Sequence, residues 1–137
     1  MTDERMKIAV VVRDDLEVWQ KLNVVAFLAS GIAAAHPETI GAPYADADGR
    51  SYTPIFGLPV LIYGAEGEKL GRALSRSNER GLTAGVYDRG MFTTGNDVDN
   101  RAVVSGKATA DLDLVGIAVH GSARDVDKAL KGLKFHP

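Results

Sequence analysis

The chain has 137 residues, of which 45% are hydrophobic and 25% charged, and its formal net charge at pH 7 is -2. This length suits one domain with a hydrophobic core, and the apolar content excludes an intrinsically disordered chain. The net charge shows no overall basic excess of the kind that binds nucleic acid. The sequence has no cysteine, which excludes disulfides, thiol catalysis and thiolate metal sites.

The first part of the chain predicts a buried strand followed by a long helix. Residues 7–13 form a continuous β-branched run, which is typical of a central strand covered on both faces. A helix is predicted over 17–35 and ends before Pro37, because the residue preceding proline avoids helical geometry. Its most apolar part, 22–35, is too short to span a bilayer and predicts a buried helix. The core residues predicted on this helix are Val25, Leu28 and Ile32.

The rest of the chain alternates strands with helices. A loop over 37–54 contains a predicted tight turn at Asp48-Gly49, and 50–55 predicts a short edge strand. The later elements are a strand at 58–63, a helix at 66–80, strands at 82–87 and 112–120, and a helix at 123–130. The segment 90–110 is predicted to be irregular, which in a compact domain indicates a functional or mobile stretch. This alternation predicts a single α/β domain over residues 1–137, with a central mixed sheet of about four strands and helices on both faces.

One polar stripe on the first helix is a candidate site. Asn23, Phe27 and Ser30 are spaced i, i+4 and i+7, so their side chains share one face of the helix. They line a pocket in one interpretation. In the other, Asn23 and Ser30 are satisfied polar groups at a close helix contact.

The end of the predicted strand 82–87 is the second candidate site. Asp88 and Arg89 lie where α/β proteins usually place ligands, and Gly90 adds backbone freedom. A solvated strand-end carboxylate is the alternative interpretation. Thr93 and Thr94 follow, as hydroxyl donors or as ordinary loop residues.

Basic residues form two rows at helical spacing, which could contact phosphate or could be solvated helix faces. The stronger row is Lys69, Arg72, Arg76 and Arg80, and the weaker is Arg124, Lys128, Lys131 and Lys134. The three histidines and the Asn/Asp cluster at 96–100 lack metal-ligand spacing, and no dinucleotide-binding glycine motif occurs. We therefore expect no metal and no cofactor.

The opening of the chain resembles that of type II peptidyl-tRNA hydrolases. The run Lys7-Ile-Ala-Val-Val-Val-Arg13, followed by Asp15-Leu16 and a helix rich in small residues, carries the resemblance. The strand leading into Asp88-Arg89-Gly90 is similar to that family's strand before Asp-Ala-Gly, and 114–135 is similar to its last strand, helix and tail. The resemblance covers most of the chain except 37–54 and 95–110. It implies a three-layer α/β/α domain that is often dimeric.

The chain departs from that family at the positions that would carry chemistry. The family's helix lysine, glutamine and histidine fall on Asn23, Phe27 and Ser30, and a different register could supply Lys21 as the lysine. In these respects the chain resembles an uncharacterised branch of the same fold. The catalytic residues that the resemblance implies are Asp88 and Lys21. The residues expected to line the cleft are Arg13, Asp15, Asn23, Phe27, Ser30, Gly90, Thr93 and Thr94.

These observations lead to three functional hypotheses. The first is a binding domain, or an enzyme of unassigned reaction, with a modified cleft for a small neutral ligand. An asparagine, a phenylalanine and a serine make that cleft neutral and more apolar. The alternative is an active peptidyl-tRNA hydrolase that cleaves the peptidyl-tRNA ester, with tRNA as partner. The second alternative is a structural dimer without a ligand. The resemblance leads us to expect a homodimer. We also expect a cytoplasmic protein without membrane association, because the acidic start and the short apolar run at residue 8 do not fit a signal peptide.

Overall fold

A computed structural model describes residues 5–137 of the protein. Helices and strands follow one another in the order β1 (Met6–Arg13), α1 (Val18–Ala35), β2 (Tyr44–Ala45), β3 (Ser51–Tyr52), β4 (Val60–Ala65), α2 (Gly67–Glu79), β5 (Thr83–Asp88), α3 (Asp97–Ser105), β6 (Leu114–Ser122), α4 (Ala123–Ala129) and β7 (Lys134–Phe135). Short 3₁₀ helices occupy Pro37–Thr39, Arg89–Thr93 and Thr109–Asp111.

The centre of the fold is a five-stranded mixed sheet in the order β5-β6-β1-β4-β7. β1 runs parallel to β4 and antiparallel to β6, and β5 and β7 pair antiparallel with their partners β6 and β4. β1 lies in the middle because its side chains are apolar on both faces. Ile8, Val10 and Val12 face one layer of the core, and Ala9 and Val11 face the other. The predicted mixed sheet is confirmed, with the short strand β7 as an addition.

Helices cover both faces of the sheet, as the alternation of elements predicted. α1 packs on one face, where a glycine in β6, Gly116, allows close approach. A Cβ at Gly116 would meet the side chains of Val24 and Leu28. α2 and α4 pack on the other face, through residues such as Leu70 and Val126. The hydrophobic core is therefore divided between the two faces of the sheet, with α1 on one side of the domain and α2 on the other.

The prediction that α1 is buried is correct for its inner side only. Val24, Leu28 and Ile32 are buried, whereas Val25 is only partly buried. The predictions for Leu28 and Ile32 are therefore correct, and the third core residue is Val24 instead of the predicted Val25. The outer side of the helix remains exposed, with Leu22 67% accessible. By length and composition alone α1 could cross a membrane, but its inner side, with Val24, Leu28 and Ile32, packs on the sheet.

Two segments differ from their predicted structure. The segment 90–110 is largely helical rather than irregular, because Asn96 accepts a hydrogen bond from the Asp99 amide at 2.8 Å and so caps α3. The strand predicted at 50–55 is the two-residue β3, which pairs with β2 in a separate hairpin and not with the main sheet. The turn predicted at Asp48-Gly49 lies between β2 and β3, where Gly49 has a φ of 83°.

Candidate functional site

A cleft of about 1010 Å³ lies between α1, the end of β5 and α3. It is on the face of the sheet that α1 covers. The helix α3 and the turn before it form one wall, so the segment 90–110 is part of this site. The residues that line the cleft are Trp19, Asn23, Phe27, Leu28, Ser30, Gly31, Gly85, Val86, Tyr87, Met91, Phe92, Thr94, Gly95, Asn96, Asp97, Asn100, Arg101, Val104 and Ser105.

Aromatic rings from three segments meet in the cleft. The ring of Trp19 meets that of Phe92 edge-on, with centroids 6.0 Å apart. Tyr87 lies between Phe27 and Phe92, at centroid distances of 6.1 and 5.2 Å. Tyr87 is nearly buried, and this burial raises the pKa of its hydroxyl, so the group is neutral at pH 7. Trp19 and Phe27 are 60% and 56% exposed, so their rings are open to a ligand.

The polar groups around these rings are neutral or paired with each other. Ser30 donates a hydrogen bond to the Phe27 carbonyl at 2.6 Å, and the Thr94 hydroxyl donates to the side chain of Asn100. Asp97 forms an ion pair with Arg101 one helical turn further along α3. The exposed amide of Asn23 completes the rim. The cleft therefore offers amide and hydroxyl groups but no net charge.

Asp88 does not line this cleft, because its carboxylate is fully buried. The carboxylate accepts hydrogen bonds from the Gly90 and Asp113 amides at 2.8 Å each, and from the Lys107 ammonium group at 3.0 and 3.1 Å. Burial by itself raises the pKa of Asp88, but these hydrogen bonds and the charge of Lys107 outweigh it and hold the pKa below 3.8. Asp88 is therefore an ionised group that ties the turn after β5 to the start of β6.

The other residues predicted at the site lie in different places. Lys21 does not contact Asp88; its amino group is 3.2 Å from Nε2 of His136 near the end of the chain. Thr93 donates to the Gly90 carbonyl at 3.1 Å within the turn after β5, so both belong to that turn rather than to the cleft lining.

Arg13 and Asp15 form an ion pair at 3.1 Å at the end of β1 and also lie outside the cleft. They belong to a small network with Arg89 and Asp113, whose side chains pair at 3.2 Å. Of the predicted residues, the structure brings Asn23, Phe27, Ser30 and Thr94 together in one cleft.

Several residues of the site were missed from the sequence. Trp19 is one helical turn before Asn23, so the same spacing argument could have found it. Tyr87 lies in β5 and Phe92 in the turn after it, and the fold brings both rings to the cleft. Lys107, which follows α3, contacts Asp88. No sequence pattern indicated either contact. Within residues 5–137, no group of three or more His, Asp or Glu side chains could hold a metal ion.

The fold and the site define a small mixed α/β domain with an aromatic cleft between two helices. A family model described as a protein of unknown function (DUF2000) matches residues 6–137, and the chain belongs to this family. A structure of a protein of unknown function from Agrobacterium tumefaciens strain C58 is similar, with a TM-score of 0.93 and 45% sequence identity. That similarity covers 96% of this chain and 98% of the other. No curated protein matches the chain.

Proposed function

We propose that the protein binds a small, neutral, ring-bearing ligand in the cleft between α1 and α3. The cluster of Trp19, Phe27, Tyr87 and Phe92 is the observation that carries this proposal. Aromatic side chains stack against rings in preferred geometries, and small-molecule sites combine apolar walls with a few polar groups in clefts of about 300–1000 Å³. At about 1010 Å³, the cleft reaches the upper end of that range.

The polar groups of the cleft favour a neutral ligand over a charged one. Asn23 and Asn100 carry amides that both donate and accept hydrogen bonds, which suits carbonyl, amide and hydroxyl groups. Asp97 and Arg101, the charged residues of the cleft lining, carry opposite charges, so the lining has no net charge. An ionic ligand would lose its hydration without meeting a net opposite charge, which is a net cost.

Amide NMR with a matched set of fragments tests this proposal. Benzamide, benzoate and benzylamine share a ring and differ in charge. We expect benzamide to bind most tightly and to shift the amide signals of Tyr87, Phe92 and Asn100. Equal binding of all three, or shifts confined to surfaces away from the cleft, would refute a neutral-ligand site.

The pair of Asp88 and Lys107 favours a second candidate function, cleavage of the peptidyl-tRNA ester. It sets an ammonium group beside the strand-end carboxylate that the family resemblance assigns to catalysis, 3.0 Å away. The carboxylate is nevertheless buried and engaged by two backbone amides, so it has no free position for a substrate. The ligand-binding proposal is therefore better supported.

A turnover assay on peptidyl-tRNA, run beside a known active hydrolase, decides between the two functions. We expect no cleavage by the wild-type protein above background. Robust cleavage that Asp88→Asn abolishes, in a variant that remains folded, would establish the hydrolase instead.

A further inference from the structure

A second, smaller pocket lies on the opposite face of the sheet from the aromatic cleft. Its volume is about 240 Å³, and it lies between α2 and the turn after α4. Four of its lining residues are cations, and none is acidic. The lining residues are Lys69, Arg72, Ala73, Arg76, Ala129, Lys131, Gly132 and Leu133.

The pocket joins the two basic rows of the sequence, which are about 60 residues apart in the chain. α2 and α4 pack side by side on the sheet, and this places Lys131 opposite the row on α2. Arg76 donates a hydrogen bond from Nη1 to the Lys131 carbonyl at 3.2 Å, which fixes its guanidinium group at the pocket wall. Gly132 has a φ of 91°, a conformation that favours glycine and turns the chain around the pocket.

The positive charge of this pocket is only weakly compensated. Among residues 5–137, one carboxylate lies within salt-bridge distance of a lining cation, that of Glu68, 3.8 Å from Arg72, and their side chains are 80% and 59% exposed. Such an exposed pair is screened by water and contributes little, so it does not withdraw Arg72 from a ligand. Arg80, the last member of the α2 row, pairs with Asp125 and does not line the pocket.

We propose that this pocket binds the phosphoryl group of a small phosphorylated ligand. Guanidinium groups match phosphate oxygens through paired hydrogen bonds, and lysines add point charge. The pocket is smaller than the about 300 Å³ at which drug-sized sites begin. It contains no aromatic ring on which a base could stack, and the net charge of the chain is -2, so the site does not fit a nucleic acid.

Titration with inorganic phosphate and glycerol 3-phosphate, followed by amide NMR, tests this site. The variant is Lys69→Gln with Lys131→Gln, both exposed side chains in the pocket lining. The control is Arg50→Gln with Arg124→Gln, which removes the same charge from exposed positions outside the pocket. We expect saturable shifts at Arg76 and Gly132 in the wild type and the control, and binding about 10-fold weaker in the pocket variant.

A second experiment distinguishes a lipid headgroup from a soluble phosphate ester. It uses phosphatidylcholine vesicles that contain phosphatidic acid. Co-sedimentation that is lost in the pocket variant and kept in the control assigns the site to a lipid headgroup. Binding of glycerol 3-phosphate without co-sedimentation assigns it to a soluble phosphate ester. Equal weakening in both variants, or no saturable binding of any probe, overturns the proposal, because the affinity would then be diffuse or absent.

Discussion

The buried carboxylate of Asp88 joins parts of the chain that are far apart in sequence. It accepts hydrogen bonds from the turn at Gly90, from Lys107 beyond α3, and from the backbone of Asp113. A buried charge is stable only when it is paired and fully hydrogen-bonded, and Asp88 meets both conditions. Its role in this structure is to hold the wall of the cleft in place.

Replacing Asp88 with alanine should destabilise the fold strongly. The change leaves two amides and the ammonium group of Lys107 without their acceptor, and we expect a loss of about 2–4 kcal/mol. Urea denaturation measures it. The exposed Asp111 provides the control, since Asp111→Ala should cost less than about 0.5 kcal/mol. Equal losses in the two variants would contradict the structural role of Asp88.

His120 should make stability depend on pH. It is buried in β6 with its ring 4.0 Å from that of His36. Burial and the charge of His36 lower the pKa of His120 below 6.5, against a smaller opposing effect of Glu38. The unfolded chain therefore takes up this proton more readily than the folded one, so the contribution of His120 is present above pH 6.5 and is lost as pH falls through the lowered pKa.

Unfolding free energies measured between pH 7.5 and 5 test this dependence. The wild type should lose stability over that range, and His120→Gln should lose less because the neutral amide takes up no proton. His136→Gln is the control, since His136 lies at the chain end near Lys21. An unchanged pH slope in His120→Gln would show that other groups control stability in this range.

At the scale of elements, α1 has one core side and one exposed side. Leu28 is 6% exposed and packs against Gly85, where an added Cβ would lie 3.4 Å from its Cδ2 atom, whereas Leu22 is 67% exposed. We expect Leu28→Ala to cost about 2–5 kcal/mol and Leu22→Ala less than about 0.5 kcal/mol. Denaturant melts of the two variants compare the same substitution on two sides of one helix. Similar losses would contradict this orientation.

The elements that could be predicted from the sequence are those with a strong hydrophobic pattern. The β-branched run of β1 and the apolar run of β6 indicated buried strands, and both are central in the sheet. α3 was missed because its aspartate and asparagine residues, and the glycines Gly95 and Gly106 on either side of it, are typical of loops. Asn96, three residues before Asp99, is an N-cap from which the start of α3 could have been predicted. β7 could not be predicted, because it has only two residues and depends on pairing with β4.

At the scale of the whole molecule, only part of the site could be predicted, since four of the eight residues expected to line the cleft do so. Helical spacing on α1 indicated Asn23, Phe27 and Ser30 as one surface, and they line one cleft. Tyr87 and Phe92 could not be predicted, because contacts between α1 and the end of β5 depend on how the helix packs across the sheet. The family resemblance implies catalytic roles for Asp88 and Lys21, and these roles stay predictions.

The homodimer that the family resemblance implies also remains a prediction, and the outer side of α1 offers a surface for it. Val18 and Leu22 are 71% and 67% exposed and lie outside the cleft lining. We expect sedimentation velocity to give a dimer for the wild type and a monomer for Leu22→Glu, since a buried unpaired charge opposes association. A monomeric wild type at high protein concentration would contradict the prediction.

Fluorescence of Trp19 tests the central claim most directly, because Trp19 is the single tryptophan of the chain and lines the cleft. The measurement is a titration of wild type, Phe27→Ala and Phe135→Ala with benzamide. Phe27 and Phe135 are both exposed phenylalanines beside a tyrosine ring, and only Phe27 lines the cleft. We expect a saturable change in emission for wild type and Phe135→Ala, with binding about 10-fold weaker in Phe27→Ala. No saturable change in the wild type, or equal affinity in all three proteins, would contradict ligand binding in this cleft.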